Sequence, residues 1–298
     1  MAKSGSNKHS VVPIGVFDGV HRGHQLVLRH AVESARERDA RVVVVTFHPH
    51  PTAILAPGHV PPMLTTLERR LALLREHGAD DVEVLEFNRD LSLLSADEFV
   101  DEVLVGRLAA VQIVVGRNFR FGHRASGDVE LLRKHDLSVD DVPLLIEGGT
   151  VSSTMVRDFI VHGDVVAAAG ALGRLHLVEG PVVRGDARGR ALGFPTANVA
   201  VGEDIAVPQD GVYAGWLTRA EGTRIKAAIS VGTNPTFDGV ERRVEAYAID
   251  VGHELELYDE HVVVEFASRL RGMERFADVD ELIAQMGRDV VTTRTVLD

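Results

Sequence analysis

One stretch near the start of the chain constrains the fold most strongly, because an apolar segment there ends in a glycine-rich turn that contains two histidines. Residues 11–16 are mostly Val and Ile, which suits a buried strand, and Gly19 and Gly23 let the backbone pass close to a ligand. Leu28 and Ala31 then begin an apolar series with helical spacing, so a helix is predicted to begin near His24. Since a helix start exposes N–H groups that bind anions, the sequence predicts a phosphate site here.

The two imidazoles indicate what such a site does. His21 and His24 lie three residues apart and are suited to stabilise charge on a phosphate during phosphoryl or nucleotidyl transfer. The sequence contains neither a G-x-x-x-x-G-K-[ST] loop nor a G-x-G-x-x-G fingerprint. Metal ligation, or two incidental loop histidines, are the alternatives for a bare H-x-G-H. The strand before it and the helix after it favour phosphate.

Composition narrows the classes of partner. The chain of 298 residues is long enough for two domains, and it has no cysteine, which excludes disulfides and thiol nucleophiles and fits a cytoplasmic protein. A formal net charge of -12 argues against nucleic acid, and no segment resembles a signal peptide or a membrane span. Small phosphorylated substrates remain possible ligands, since Mg²⁺, a helix N-terminus and a few arginines can neutralise their charge locally. Whether the chain forms a homo-oligomer is left open.

The hydrophobic pattern changes along the chain and predicts two domains. Up to about residue 161 apolar runs alternate with amphipathic stretches, which indicates an α/β domain with a parallel sheet. Later segments alternate with a period of two, which predicts a small barrel closed by a helix over residues 279–290. We place the first domain at 11–163, a linker at 164–173 and the second domain at 174–298. The predicted strands cover residues 11–16, 42–45, 82–87, 111–115, 142–146, 178–184, 212–218, 225–231, 243–251 and 261–266.

Four motifs of the first half resemble, in order and spacing, the FMN adenylyltransferase module of prokaryotic bifunctional FAD synthetases, which are HxGH nucleotidyltransferases. They occupy residues 15–24, 46–51, 115–122 and 151–157. In the second half, residues 185–198 resemble the riboflavin kinase signature G-x-x-x-G-R-x-L-G-F-P-T-A-N, and residues 211–213, 230–237 and 244–247 look like later motifs of that kinase. The resemblance covers residues 11–297.

This resemblance implies a Rossmann-like nucleotidyltransferase domain followed by a riboflavin kinase-like antiparallel barrel with a terminal helix. The barrel is expected to convert riboflavin and ATP to FMN and ADP, and the first domain to convert FMN and ATP to FAD and pyrophosphate, both with Mg²⁺. Met155, Met273 and a short segment at 129–150 depart from the family pattern. Met155 and the short segment motivate one alternative, a chain in which only the riboflavin kinase activity is retained. A non-catalytic flavin-binding regulator is the alternative from another class of function.

In the adenylyltransferase half, the assignments follow the matched motifs. His21 and His24 are expected to stabilise the α-phosphate, and Arg157 the departing pyrophosphate at a second helix start. The other expected ATP-binding residues are Gly15, Phe17, Asp18, Gly23, Ser152, Ser153 and Thr154. The expected flavin-binding residues are His48, Pro49, Asn118, Phe119, Arg120 and Phe121. For Phe119 and Phe121, packing in the core is the alternative to flavin binding. For the Ser-Ser-Thr run, the alternative is an ordinary helix cap. The turn at 48–51 is stiffened by prolines, and no zinc is predicted there.

In the kinase half, Glu245 is predicted to be the base, because a carboxylate near the ribityl 5′-hydroxyl can accept its proton. Thr196 and Asn198 offer oxygen ligands for Mg²⁺, although a proline-bearing turn capped by Asn198 is the alternative for this segment alone. A solvent-facing strand carboxylate is the alternative for Glu245. The remaining assignments place Gly185, Gly189, Gly193 and Pro195 on ATP and Arg271 on the flavin.

Overall fold

The computed structural model describes residues 9–184, 192–236, 239–251 and 257–298. The chain forms two compact units, of which the first contains the residues up to Pro61 and Thr66–Ser153. The second contains Pro62–Thr65 and Thr154–Asp298. The domain limits drawn from the sequence at residues 163 and 174 stay a prediction.

A five-stranded parallel sheet forms the centre of the first unit, in the order β3-β2-β1-β4-β5. Its strands are β1 Ser10–Pro13, β2 Arg41–His48, β3 Asp81–Glu86, β4 Ala110–Gly116 and β5 Ser138–Val142. The helices are α1 Arg22–Arg38, α2 Pro51–Leu55, α3 Leu67–Glu76, α4 Arg89–Leu93, α5 Ala96–Glu98 with a π-helical continuation over Phe99–Arg107, and α6 Val129–Lys134. Adjacent Val11 and Val12 are both fully buried, since each face of the sheet has its own apolar cluster. The predicted α/β fold is confirmed.

The strand order determines where this sheet can bind a ligand. It reverses between β1 and β4, and in open α/β sheets a ligand binds beyond the carboxyl ends of the strands at such a point. The turn with His21 and His24 follows β1, and the loop with Asn118 follows β4. The fold therefore brings two of the predicted motifs to one edge of the sheet.

One predicted strand is displaced by a few residues in the structure. The fifth strand is Ser138–Val142 rather than 142–146, because only Val142 of the later segment is buried while Ile146 is 72% exposed. The acidic residues of β5 hide it from a search for apolar runs, since it is an edge strand of the sheet. The cap of α3 is Thr66, whose hydroxyl accepts from the Arg69 N–H at 3.1 Å. Ser95 and Glu98 form a capping box at the start of α5.

The second unit contains a closed six-stranded antiparallel barrel in the order β10-β7-β6-β11-β8-β9. Its strands are β6 His176–Val183, β7 Thr196–Val199, β8 Gly211–Thr218, β9 Arg224–Thr236, β10 Gly239–Ala248 and β11 His261–Arg271. The helices are α7 Ser153–Val161, whose first residue belongs to the first unit, α8 Val165–Leu172 and α9 Val279–Leu297. The predicted barrel and its terminal helix are confirmed. None of the helices described here combines the length and the apolar character that crossing a membrane requires.

Strand alternation sorts the residues of β10 between the barrel core and its outer face. Val244 and Ala246 are buried in the core, and Glu245 and Tyr247 therefore point outward. β7, which the sequence prediction missed, pairs with β10 so that Asn198 lies opposite Glu245 and Thr196 opposite Tyr247. Directly opposed residues share a face, so these four side chains lie together on the outside of the barrel.

Candidate functional site

The turn after β1 in the first unit has an unusual backbone. Phe17 and Val20 take positive φ values of 54° and 39°, and Gly19 takes 77°. Positive φ is costly for residues with a β-carbon, above all for a β-branched one, and such strain persists where the surroundings hold it. Here Phe17 and Val20 are fully buried in the apolar cluster against α1. The packing holds this turn in one conformation and thereby directs the following helix start.

His21 caps α1, and its ring contacts that of His24. The His21 Nδ1 accepts a long hydrogen bond of 3.4 Å from the His24 backbone N–H, which leaves the ring proton on Nε2. The two rings stack with centroids 3.6 Å apart, and Phe17 meets the His24 ring edge-on at 5.1 Å. Among the described residues, the buried His24 Nδ1 has no hydrogen-bond partner. The two histidines therefore lie together at the start of α1, as predicted.

The environment keeps His24 neutral. Burial is the main cause that lowers its pKa well below 6.5, and repulsion from His21 in its protonated form and from Arg70 lowers it further. A neutral imidazole keeps one N–H with which to donate a hydrogen bond, and it adds no buried charge before a phosphate arrives.

Close backbone approaches place the predicted serines beside this turn. A β-carbon on Gly23 would lie 3.2 Å from both the His21 ring and the Val151 carbonyl oxygen, so the small residue lets the two segments meet. The Ser153 hydroxyl donates to the Asp18 carbonyl at 2.9 Å. Gly15, Phe17 and Asp18 of the predicted set are thus in the first unit with Ser152 and Ser153, whereas Thr154 and Arg157 belong to the second unit. In that unit, Arg157 donates from Nε to the Pro62 carbonyl at 2.7 Å.

The sequence analysis missed a buried arginine under this turn. Arg70 on α3 is 1% exposed and donates to the carbonyls of Val16 at 2.9 Å and Phe47 at 3.1 Å. Burial lowers its pKa and the nearby carboxylate of buried Asp18 opposes that effect. The feature of the sequence that could have indicated Arg70 is its helical spacing from Leu73 and Leu74, with which it shares the core-facing side of α3.

The loop after β4 divides its predicted flavin residues between core and surface. Phe121 packs in the core beside Phe99, and the half-buried Phe119 ring stacks on Phe121 with centroids 5.5 Å apart. Asn118 and Arg120 are exposed, and Arg120 donates to the Asp128 carboxylate at 2.8 Å. His48 and Pro49 lie where β2 ends, next to Phe47. The flavin contacts of all these residues stay predictions.

Glu245 in the second unit lies between two cavities on the outer face of the barrel. One cavity of about 230 Å³ is mainly apolar, and the other, of about 310 Å³, is mainly polar. Glu245, Ser230 and Met273 line both. The apolar one is also lined by Phe194, Val212, Tyr247, Phe276, Leu282, Met286 and Val290. An aromatic ring system and a polar chain attached to it can therefore meet at this carboxylate.

The oxygen-bearing side chains beside Glu245 fit a hard cation such as Mg²⁺. The Thr196 hydroxyl donates to the Glu245 carboxylate at 3.2 Å, and Asn198 is the register partner of Glu245. A hydroxyl, an amide oxygen and a carboxylate are the oxygen donors that Mg²⁺ accepts alongside water and phosphate. Gly193 has an open surrounding and a φ of +85°, while Gly185 and Gly189 lie outside the described residues.

Arg271, which is predicted to bind the flavin, lines the apolar cavity. Its guanidinium binds the Asp289 carboxylate of α9 through Nε at 3.1 Å and through Nη2 at 2.8 Å. Gln285 also donates to that carboxylate at 2.8 Å, and Asp289 is almost fully buried. Asp289 was missed because a single acid in an amphipathic helix gives no sign of its partner. Met273 lines both cavities, so its departure from the family pattern bears on this site.

Comparison with known proteins identifies the family of each half of the chain. The FAD synthetase family matches residues 3–155, and the riboflavin kinase family matches residues 172–297. The bifunctional riboflavin kinase/FMN adenylyltransferase of Escherichia coli strain K12 is 36% identical, over 95% of this chain and 91% of the relative. The Bacillus subtilis protein of the same name is 33% identical, over 94% and 90%. A solved structure from Streptococcus pneumoniae, described as a macrolide-efflux protein, has a TM-score of 0.89 and 34% identity over 98% of this chain and 96% of that one.

Proposed function

Because this chain belongs to the family of bifunctional riboflavin kinase/FMN adenylyltransferases, we propose that its two sites divide the two reactions between them. The face of the barrel around Glu245 phosphorylates riboflavin, and the turn with His21 and His24 adenylylates FMN. The observation that carries the proposal is the position of Glu245, which is shared by an apolar and a polar cavity and bonded to the Thr196 hydroxyl.

In the kinase reaction, Glu245 takes the proton of the ribityl 5′-hydroxyl. The 5′-oxygen forms a bond to the γ-phosphorus of ATP, the bond from that phosphorus to the β-phosphate oxygen breaks, and ADP leaves. The Thr196 hydroxyl holds the Glu245 carboxylate in place, and the apolar cavity holds the isoalloxazine ring. Thr196 and Asn198 would hold Mg²⁺, which would offset the charge of the ATP phosphates.

In the adenylyltransferase reaction, the protein supplies no nucleophile. An FMN phosphate oxygen forms a bond to the α-phosphorus of ATP, the bond from that phosphorus to the bridging oxygen of the β-phosphate breaks, and pyrophosphate leaves. His21 and neutral His24 donate hydrogen bonds to the α-phosphate oxygens as charge shifts onto them. The N-terminal amides of α1 add favourable partial charge.

A crossed pair of variants tests the division between sites. Glu245→Gln removes the proton acceptor and is expected to abolish FMN formation, while FAD formation from supplied FMN continues. His24→Ala is expected to slow FAD formation roughly a hundredfold, as loss of one preorganised donor does, while FMN formation continues. Chromatography of the flavin products measures both rates in one sample containing ATP and Mg²⁺.

The outcomes separate the alternatives. Equal loss of both activities in either variant contradicts two separate sites. No FAD from supplied FMN in the unaltered protein supports a chain with kinase activity alone, and no product from either flavin supports a regulator. The roles of Ser152, Thr154 and Arg157 at the pyrophosphate, the small-molecule partners and the cytoplasmic location expected from the sequence stay predictions.

A further inference from the structure

A buried arginine outside the predicted motifs joins the two strand ends that lead into the adenylyltransferase turns. Arg70 donates from Nη1 to the Val16 carbonyl at 2.9 Å and from Nη2 to the Phe47 carbonyl at 3.1 Å. Val16 is followed directly by the turn with the two histidines, and Phe47 by the turn that begins at His48. A planar guanidinium presents its donors in a fixed fork, so both carbonyls are held at once.

The hydrogen bond from Arg70 to Val16 lies where backbone hydrogen bonding beside β2 ends. The Gly15 N–H still donates to the Val45 carbonyl at 3.1 Å. One residue later, the Val16 carbonyl accepts instead from the Thr46 hydroxyl at 2.9 Å and from Arg70. Beyond Gly15, the buried side chains of Thr46 and Arg70 therefore satisfy the backbone carbonyl that a neighbouring strand would otherwise satisfy.

Burial makes this arrangement costly, which argues that it has a function. Removing a cation from water is strongly unfavourable unless hydrogen bonds or opposite charges compensate. Arg70 is nevertheless 1% exposed, and its Nε has no hydrogen-bond partner among the described residues. A Leu at this position of α3 would pack against the same cluster without that cost. Arg70 is too deeply buried to bind a substrate directly.

We propose that Arg70 is a positioning residue for FMN adenylylation, fixing the turn after β1 relative to the turn after β2. The inference rests on the proposed function of the histidine turn. Misplacing reacting groups by about 1 Å can cost a hundredfold in rate, so loosening this bridge slows the reaction without removing any group that binds substrate. The positive charge of Arg70 also faces Asp18 and His24, which adds an electrostatic effect on the same turn.

Three substitutions test the proposal, and the kinase activity of each variant is the internal standard. Arg70→Lys keeps the charge but cannot hold both carbonyls in a fork, and Arg70→Met removes every donor. Thr46→Val removes the second donor to the Val16 carbonyl while keeping a branched side chain, and it guards against misfolding of the Arg70 variants. The measurements are kcat and KM for FAD formation from supplied FMN, and the FMN-forming rate of the same sample.

A positioning role predicts a split between the two activities and between the kinetic constants. Arg70→Met is expected to lower kcat for FAD formation roughly ten- to a hundredfold, with KM for ATP changed by less than about twofold. Arg70→Lys and Thr46→Val fall between it and the unaltered protein, and FMN formation is unchanged throughout. Arg75→Met, on the solvent side of the same helix, is the matched control and retains both rates.

Two results would overturn the inference. One is an unaltered kcat for FAD formation in both Arg70→Lys and Thr46→Val. The other is an equal decline of both activities in the Arg70 variants, which indicates general unfolding. His24→Ala in the same assay tests the proposed site separately from the positioning role. If His24→Ala leaves FAD formation intact, the proposed site itself fails. If His24→Ala slows FAD formation while Arg70→Lys and Thr46→Val both leave it intact, only the positioning role is refuted.

Discussion

The buried histidine of the barrel gives a quantitative prediction for stability. His176, at the start of β6, is fully buried, and its Nε2 donates to the Ala206 carbonyl at 2.9 Å. Its ring lies nearly parallel to that of Phe266, with centroids 6.1 Å apart. Burial is the main cause that lowers the pKa of His176 from 6.5 to about 4. The folded barrel therefore holds this side chain neutral where the unfolded chain would protonate it.

The sign and the size of the change in stability with pH follow from proton linkage. Below pH 6.5 the unfolded chain binds a proton that the folded barrel does not bind until about pH 4, so stability present at neutral pH is lost on acidification. The full separation of the two pKa values corresponds to about 3 kcal/mol. About 2 kcal/mol of it is lost between pH 7.5 and pH 5, before most carboxylates titrate.

Urea unfolding measured by fluorescence tests this prediction. Trp216 on β8 is the single tryptophan of the chain, so its emission reports on the barrel. The comparison is with His176→Gln, whose amide can still donate to Ala206 but does not titrate in this range. The unfolding free energy of the unaltered protein should fall by about 2 kcal/mol more than that of the variant between pH 7.5 and pH 5. Parallel pH dependence in the two proteins would refute the argument.

Three further predictions concern the first unit and the metal. Gly23→Ala adds a β-carbon 3.2 Å from the His21 ring and the Val151 carbonyl, so FAD formation should fall while FMN formation, measured in the same sample, does not. His135 has a raised pKa, mainly because it bonds the Asp97 carboxylate at 2.7 Å, so the stability it contributes is present below pH 6.5 and lost as pH rises through the raised value. His135→Gln should therefore speed hydrogen exchange in α6 at pH 6 and have little effect at pH 9. Chelation with EDTA should stop both reactions and added Mg²⁺ should restore them, whereas persistence of either rate would contradict the assignment of the metal.

Periodicity was sufficient for the strands that are buried or that alternate regularly. The all-valine run of β2 and the alternating β10 were predicted because burial on two faces, or on one, leaves a direct trace in the sequence. The edge strand β5 and the short β7 leave no such trace, since pairing with a neighbour decides their conformation more than their own composition does.

The same distinction applies to the sites. His21 and His24 were predicted because their spacing and helix start are local features, and the structure places their rings in contact. Arg70 could not be assigned from its neighbours in the chain, because the carbonyls that it bridges belong to residues 54 and 23 positions away. Asp289 was missed for the same reason, since its partner Arg271 lies on another element.

By itself, the sequence determined the two-part organisation, the α/β and barrel classes, and the residue types at both candidate sites, because local spacing and alternation encode these. Only the tertiary structure decided which charged side chains are buried, which carbonyls they hold, and that Glu245 lies where an apolar and a polar cavity meet. The physical reason is that burial and hydrogen-bond partnership depend on segments far apart in the chain, which come together only when the fold forms.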